Sequence, residues 1–177
     1  MGNISPQKTW DDETLLTKPL VYQGNRLATY EPDYTKYIEP KQLRRMSRII
    51  KMGVTAGSMA LKNAGLPIPD GIITGTAYGC LDDTGIFLKK MIENKEHALN
   101  PTPFIQSTHN TIGSQIALLL QCQGYNQTYT QGAFSFENSF SGCSFGVQEL
   151  INPENNKNRA NIFGRLFIFL VIYATLI

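Results

Sequence analysis

The sequence predicts an α/β fold class, because helical patterns alternate along the chain with short β-prone segments. The clearest helical pattern runs from Pro40 to Gly65, and the clearest strand is the segment GIITGTA that follows it. A second β-prone segment, YNQTYTQG, lies between two later helical patterns. Of the 177 residues, 42% are hydrophobic and 17% are charged, which is typical of a globular domain rather than a disordered chain.

Residues 1–39 are typical of loops, because prolines and a glycine interrupt short polar stretches. Pro40 then begins the first long helix, since a residue without an N–H is tolerated in the first turn. Gly65 is expected to end this helix as a left-handed cap, and Gly53 and Gly57 would allow another backbone to approach closely. The residues that recur on its predicted buried face are Leu43, Met46, Ile50, Val54, Gly57 and Leu61.

Further helices are predicted after the strand. In YGCLDDTGIFLKKMIENK, Asp82 or Asp83 is a suitable helix cap. The segment HALNPTPFIQST predicts a connection broken by prolines, and HNTIGSQIALLLQCQG predicts a buried helix with Asn110 at its N-cap and Gly124 past its end. The segment AFSFENSFSGCSFGVQELI predicts the last helix. The expected apolar face of the helix after the strand consists of Leu88, Met91 and Ile92.

Charge and cysteine content exclude several function classes. The net charge is only +2 and no cluster of lysines and arginines occurs, which argues against a nucleic-acid partner. Cys80, Cys122 and Cys143 are widely spaced and form no CxxC motif, which argues against structural zinc. Reduced thiols, together with an N-terminus that lacks the basic and apolar regions of a secretory leader, predict a cytoplasmic protein. We expect no metal and no cofactor.

Isolated reactive side chains have simpler structural interpretations. Asp82 and Asp83 are adjacent at a helix start, so they point in different directions and are expected to cap the helix rather than form an acid–base pair. His97 and His109 are expected in loop or cap positions. Cys143 lies within a predicted helix rather than at a strand–helix turn, so a small buried thiol is favoured over a nucleophile.

The end of the chain allows three interpretations. The segment LFIFLVIYATLI, from Leu166 to Ile177, carries no charge and shows neither helical nor strand periodicity. It fits a buried strand through its β-branched and aromatic residues, whereas a helical span of a bilayer needs about 20 apolar residues. A membrane anchor and a tail outside the fold are the other two interpretations.

Four segments, in order, carry a resemblance to a known family. They are GNISP, RRMSRIIKMGVTAGSMALKNAGL, GIITGTAYGCLDDT and PTPFIQSTHNTIGSQIALLLQCQG. Together they resemble the N-terminal half of β-ketoacyl synthases of the thiolase-like superfamily, and most closely the divergent domain found in aryl-polyene and flexirubin pathways. The resemblance covers roughly residues 2–138 and implies a partial thiolase-like layered domain, the N-terminal half only. It places that domain in residues 1–150, and an asparagine-rich linker and apolar tail in residues 151–177.

The resemblance also places the site. With the family's asparagine on Asn110 and its glycine on Gly124, the nucleophilic cysteine of working synthases falls without gaps on Ala133. Gln131 lies two residues earlier, and chain-length-factor partners of synthases carry a glutamine in place of that cysteine. The resemblance therefore implies no catalytic residue. The residues it places in an acyl pocket or a dimer seam are Asn110, Gln131, Phe134, Ser135 and Phe136.

Three functions follow as hypotheses. The first is a non-catalytic, chain-length-factor-like subunit in fatty-acid or polyketide-type (aryl polyene) biosynthesis. Its implied partners are an acyl carrier protein and a catalytic synthase in a dimer, with no nucleic acid and no membrane. Phe134, Phe136 and Phe140 would then line the seam or the acyl pocket, with ordinary core packing as the alternative.

The second hypothesis is an active condensing enzyme. The absent cysteine argues against it. So does the absence of the family's C-terminal half, which supplies its catalytic histidines. The third is a degraded, truncated or frame-shifted product with no biochemical role, or a fragment that associates with a membrane through its tail. It is suggested because the family's first strand is missing before GNISP and the similarity fades after Ser139.

Overall fold

The computed structural model describes residues 2–7, 9–10, 19–24, 27–142 and 167–172. Its sheet has three parallel strands in the order β2-β1-β3. The strands are β1 (Gly71–Thr76), β2 (Tyr125–Tyr129) and β3 (Phe167–Ile172). Every residue of β1 is buried, as expected for a central parallel strand with an uninterrupted apolar and small-residue sequence.

Helices connect and cover these strands. They are α1 (Pro40–Leu43), α2 (Arg48–Ala64), α3 (Leu81–Glu93), α4 (Pro101–Ser107), α5 (Thr111–Leu120) and α6, whose described residues are 135–142. Two short 3-10 turns, Tyr34–Lys36 and Gly132–Phe134, precede α1 and α6. The predicted strands β1 and β2 and the alternation of helix and strand are therefore confirmed.

The core lies between α2, β1 and α5. Ile50, Ile72 and Ile112 are fully buried and belong to one apolar cluster. A Cβ atom on Gly57 would lie 3.3 Å from Ile116 Cδ1, so this glycine accommodates a side chain of α5 rather than the backbone that was predicted to approach it. The predicted apolar face of α2 is buried, and Thr55, Ala56 and Met59 on its other sides are buried as well.

The prediction of one helix from Pro40 to Gly65 is wrong at one point. The chain leaves the helical conformation at residues 44–47, and Ser47, with φ −70° and ψ 169°, is the N-cap of α2. Serine is favoured at this position, whereas the apolar spacing runs through the break and hides it. The end of the helix is confirmed, because Gly65 has φ 67° and its N–H donates to the carbonyl oxygens of Leu61 and Lys62.

The second half of the chain brings further corrections. Cys80, not Asp82 or Asp83, occupies the N-cap of α3, and both aspartates lie in its first turn. The proline-rich connection contains helix α4, which Asn100 caps by accepting a hydrogen bond from the Thr102 N–H at 2.9 Å.

Two expectations for helix surfaces and ends also need correction. The predicted apolar face of α3 is largely exposed, with Ile92 74% accessible. Asn110 is the N-cap of α5, as predicted, but the left-handed residue at its C-terminus is Gln121, with φ 52°. Gly124 serves another purpose, since a Cβ there would lie 2.0 Å from the carbonyl oxygen of Asp70.

The apolar tail contributes β3 to the sheet, so its interpretation as a strand is confirmed for Phe167–Ile172. It pairs with β1 from Gly71 opposite Phe167 to Thr76 opposite Ile172. Cys143 and the predicted boundary at residue 150 lie outside the described residues. Among the described helices, none has both the length and the apolar character that crossing a bilayer requires.

Candidate functional site

The candidate site lies at the carboxyl edge of the sheet, where β1 and β2 end side by side. Gly75 is in register with Tyr129, so the loops that leave the two parallel strands begin at the same level. The N–H of Gly132 donates to the carbonyl oxygen of Ala77 at 3.3 Å and ties these loops together. A strand–turn–helix unit of this kind aims the first residues of the helix outward from the edge of the sheet.

Ala133 lies at the exposed turn between β2 and α6. It is the middle residue of the 3-10 turn Gly132–Phe134, and its side chain is accessible to solvent. The turn is permitted by Gly132, whose φ of 57° lies in the left-handed region. A methyl group has neither a lone pair nor a transferable proton, so this position cannot form a covalent acyl intermediate.

Ser135 stabilises the turn from inside. It is 2% exposed, and its Oγ accepts a hydrogen bond from the backbone N–H of Gln131 at 2.9 Å. The same hydroxyl lies 2.8 Å from the carbonyl oxygens of Thr76 and Gly132, and its one proton is donated to either oxygen or shared between them. The Ser135 hydroxyl is therefore hydrogen-bonded both as acceptor and as donor, and it holds α6 against the end of β1.

Gly75 explains why α6 approaches β1 so closely. A Cβ atom at this position would lie 2.7 Å from the Ser135 carbonyl oxygen and 3.0 Å from Ser139 Oγ. Glycine inside a strand is typical of such an approach. Sequence analysis did not assign a role to Gly75, although its place within an apolar strand was a usable signal.

Gln131 is oriented by α6. Its side-chain Oε1 accepts a hydrogen bond from Asn138 Nδ2, and the residue as a whole is exposed. The amide is thus held across the beginning of α6, next to Ala133. Asn138 was not singled out from the sequence, because a contact over seven residues depends on the turn geometry.

Three phenylalanines at and after the turn are exposed, and they are called together the aromatic patch here. Phe134 is 69% exposed, Phe136 45% and Phe140 66%. Core packing, the alternative interpretation of these residues, is therefore wrong. Exposed aromatic clusters of this kind mark interaction surfaces more often than they occur by chance.

Asn110 lies in a separate polar cleft of about 360 Å³. The cleft is lined by His109, Asn110, Ser114, Asn126, Gln127 and Thr128, between the start of α5 and strand β2. Asn110 makes no side-chain cap hydrogen bond in α5. The structure thus places Gln131, Ser135 and the phenylalanines around one turn, and Asn110 on the polar side of β2. The assignment of the five residues Asn110, Gln131, Phe134, Ser135 and Phe136 to an acyl pocket or dimer seam stays a prediction.

The two described thiols are unsuited to nucleophilic catalysis. Burial, and then the neighbouring carboxylate of Asp83, raise the pKa of Cys80 to about 12. Cys122 is half-buried, and its Sγ donates to the carbonyl oxygen of Pro69 at 3.2 Å. A reactive cysteine needs exposed, electropositive surroundings, which neither residue has.

Asp83, in the first turn of α3, is a buried carboxyl group. It is 8% exposed, and Oδ2 has no hydrogen-bond partner among the described residues. Burial raises its pKa, and the charge of Asp82 adds to that shift. Within the described part of the chain, His, Cys, Asp and Glu side chains form no group of three or more that could hold a metal ion.

Comparison with known proteins identifies a family for this chain. The sequence profile of the family described as "Beta-ketoacyl synthase, N-terminal domain" matches residues 4–132. No match was found among curated proteins.

Two solved structures are similar in fold. One is a ketosynthase in complex with its chain length factor from Xenorhabdus doucetiae, with 18% identity, a TM-score of 0.53, and coverage of 63% of this chain and 45% of that chain. The other is a β-ketoacyl synthase from Burkholderia phymatum, with 16% identity, a TM-score of 0.52, and coverage of 84% of this chain and 37% of that chain. The chain therefore spans less than half the length of either structure and has the partial thiolase-like layered fold predicted for it.

Proposed function

Because the chain belongs to the family of β-ketoacyl synthase N-terminal domains, we propose that it is a non-catalytic subunit of an acyl-chain condensing enzyme, similar in role to a chain length factor. The observation that carries the proposal is Ala133 at the turn between β2 and α6. The resemblance places a cysteine thiol at this turn in working synthases, whereas the thiols of Cys80 and Cys122 lie elsewhere, buried or bonded to the backbone.

The proposed partner is a catalytic synthase subunit. Two features support an interface at this end of the molecule. The patch of Phe134, Phe136 and Phe140 is exposed, and β2 is an edge strand of the described sheet. An edge strand presents unpaired backbone groups that a partner strand can satisfy. The solved complex from Xenorhabdus doucetiae unites a ketosynthase with a chain length factor, which is the type of assembly proposed here.

The proposed substrate is an acyl chain carried by an acyl carrier protein in fatty-acid or polyketide-type biosynthesis, of which aryl-polyene synthesis is an example. The subunit would act in the cytoplasm and would need no metal or cofactor. Phe134 and Phe136 would border the growing chain or the subunit seam, and Gln131, held by Asn138, would occupy the position next to the missing nucleophile.

Reconstitution with a catalytic synthase and a loaded carrier protein tests this proposal. We expect the pair to condense malonyl and acyl units, with product length measured by mass spectrometry. Phe134→Ala and Phe136→Ala should each weaken the pairing about tenfold or shorten the products. Phe104→Ala is the matched control, because Phe104 is also an exposed phenylalanine but lies on α4. Equal effects of all three substitutions would contradict the proposed interface.

The absence of catalysis has its own test. We expect neither the wild-type chain alone nor its Ala133→Cys variant to condense acyl units, because the resemblance places the family's catalytic histidines in its C-terminal half, whereas this chain matches the N-terminal domain. Iodoacetamide should inhibit the pair only through the partner's thiol. Condensation by either form of this chain alone would overturn the non-catalytic assignment.

A further inference from the structure

Helix α3 presents an apolar stripe to solvent. The stripe, called here the α3 stripe, consists of Leu81, Gly85, Leu88 and Ile92. Its members recur at intervals of four, three and four residues, which places them on one face of the helix. Leu81 is 45% exposed, Leu88 44% and Ile92 74%. The contact with α4 uses another face, where the rings of Phe87 and Phe104 lie 5.5 Å apart.

Gly85 has no structural purpose within the described part of the chain. Glycine in the interior of a helix is destabilising relative to alanine, and it is usually retained for a positive φ or a close approach. Gly85 does not have a positive φ, and a Cβ atom there would meet nothing within 4 Å. The residue therefore leaves a shallow depression in the middle of the stripe, open to the outside.

We propose that the α3 stripe pairs with the same stripe of a second copy of this chain, with the two helices antiparallel. The spacing of the stripe is unchanged when its direction is reversed. A two-fold axis between residues 86 and 87 would therefore place Leu88 of one copy over Gly85 of the other, and Ile92 beside Leu81. A large side chain enters a depression at each such contact, as in helix pairs with knobs-into-holes packing.

The charges beside the stripe select the antiparallel arrangement. Asp82 and Lys89 lie along the same flank, and both are exposed. In an antiparallel pair, Asp82 of each copy lies next to Lys89 of the other, which gives two opposite-charge contacts. In a parallel pair, the flank of Asp82 and Lys89 in one copy would lie against the opposite flank of the other copy, where Thr84 and Met91 carry no charge.

The pairing goes beyond the proposed function. Two short helices bury an area at the low end of known interfaces, so the association is weak. It uses a surface that does not include Phe134, Phe136 and Phe140, the residues proposed to meet a catalytic partner. Two synthase pairs could thus be joined through their non-catalytic subunits.

Sedimentation velocity of the full chain under reducing conditions, from roughly 10 to 200 µM, tests the pairing. We expect a concentration-dependent monomer–dimer equilibrium. Gly85→Ala should raise the dimer dissociation constant about tenfold, because the methyl group fills the depression, while raising the thermal midpoint of the monomer. Because the substitution should weaken the dimer but stabilise the monomer, weaker pairing cannot be mistaken for loss of folding. Ile86→Ala is the matched control, since Ile86 is 52% exposed but outside the stripe, and it should leave the dissociation constant unchanged.

A charge exchange tests the orientation. Asp82→Lys should weaken the dimer, and the double variant Asp82→Lys with Lys89→Asp should restore it. Glu93→Gln controls for loss of the contact between Lys89 and Glu93, whose charged atoms lie 3.9 Å apart.

A mass independent of concentration, an unaltered dimer in Gly85→Ala, or failure of the double exchange would each overturn the proposal. Loss of the dimer in Phe134→Ala would also overturn it, because the association would then belong to the aromatic patch. Stripe variants that weaken only the complex with a catalytic synthase would overturn it too, because the α3 stripe would then bind the catalytic partner. Failure of the heterodimer alone would instead contradict the proposed function.

Discussion

Helices α2 and α3 share an amphipathic pattern but differ in what covers their apolar faces. In α2, Ile50, Val54 and Leu61 are each less than 5% exposed and pack into the core with β1 and α5. In α3, Leu88 and Ile92 stay largely accessible. The periodicity of a helix predicts which residues share a face, whereas burial depends on whether another element lies opposite that face. The predictions below test this difference, from the largest effect to the smallest.

Ile72→Ala should cost about 2–5 kcal/mol of unfolding free energy, because Ile72 is fully buried in the central strand and its removal leaves a cavity. The same truncation at Ile92, measured at low protein concentration, should change stability by less than about 0.5 kcal/mol. Urea unfolding followed by circular dichroism gives both values. Similar losses at the two positions would show that α3 is also part of the core.

Alanine at two glycines should have opposite effects. Gly75→Ala is expected to destabilise by about 1–3 kcal/mol, since the added Cβ would lie 2.7 Å from the Ser135 carbonyl oxygen. Gly85→Ala is expected to stabilise the monomer by about 0.5–1 kcal/mol, because nothing lies within 4 Å of the new methyl group and alanine favours the helix. Differential scanning calorimetry at low concentration measures both. A destabilised Gly85→Ala monomer would contradict the open environment of α3.

Ser135→Ala should cost about 1–2 kcal/mol, because the backbone N–H of Gln131 loses the acceptor that it contacts at 2.9 Å. The matched control is Ser141→Ala, a change at an exposed serine of α6, for which we expect a difference of less than about 0.5 kcal/mol. Chemical denaturation compares the two. Hydrogen exchange at residues 131–135 should quicken only in the Ser135 variant.

Substitution of Asp83 is expected to have the smallest effect on stability, and this effect depends on pH. Burial raises the pKa of this carboxyl group, so the folded state holds the proton more tightly than the unfolded state. The resulting stabilisation is complete below the unfolded pKa of about 3.9 and is lost as the pH rises through the higher folded value. Asp83→Asn should therefore gain stability relative to wild type between acidic and neutral pH.

Thermal unfolding as a function of pH measures this gain. Asp82→Asn is the matched control, because it is the same substitution at the neighbouring, exposed aspartate of α3. It should not produce this gain, since an exposed carboxylate carries no burial penalty. An identical pH dependence in wild type and Asp83→Asn would exclude Asp83 as its source.

Local signals in the sequence were sufficient for the main elements. Pro40 and Gly65 mark the beginning of α1 and the end of α2, and an apolar run predicts β1. They were insufficient at α4, where the first-turn prolines Pro101 and Pro103 are compatible with a helix but were interpreted as a break. They also missed the interruption at Ser47, because apolar spacing continues across it.

The candidate site shows the same division. The order of strand, turn and helix around Ala133, and the lack of a nucleophile there, are properties of the sequence alone, because they depend on neighbouring residues and on side-chain chemistry. The burial of Ser135 and the exposure of Phe134 depend on how closely α6 approaches Gly75 of β1, a contact between residues distant in the chain. The sequence by itself therefore determined most of the elements and the side-chain chemistry of residue 133. Only the tertiary structure decided which polar groups are satisfied inside the turn and which apolar faces remain exposed, since burial depends on the packing of separate elements.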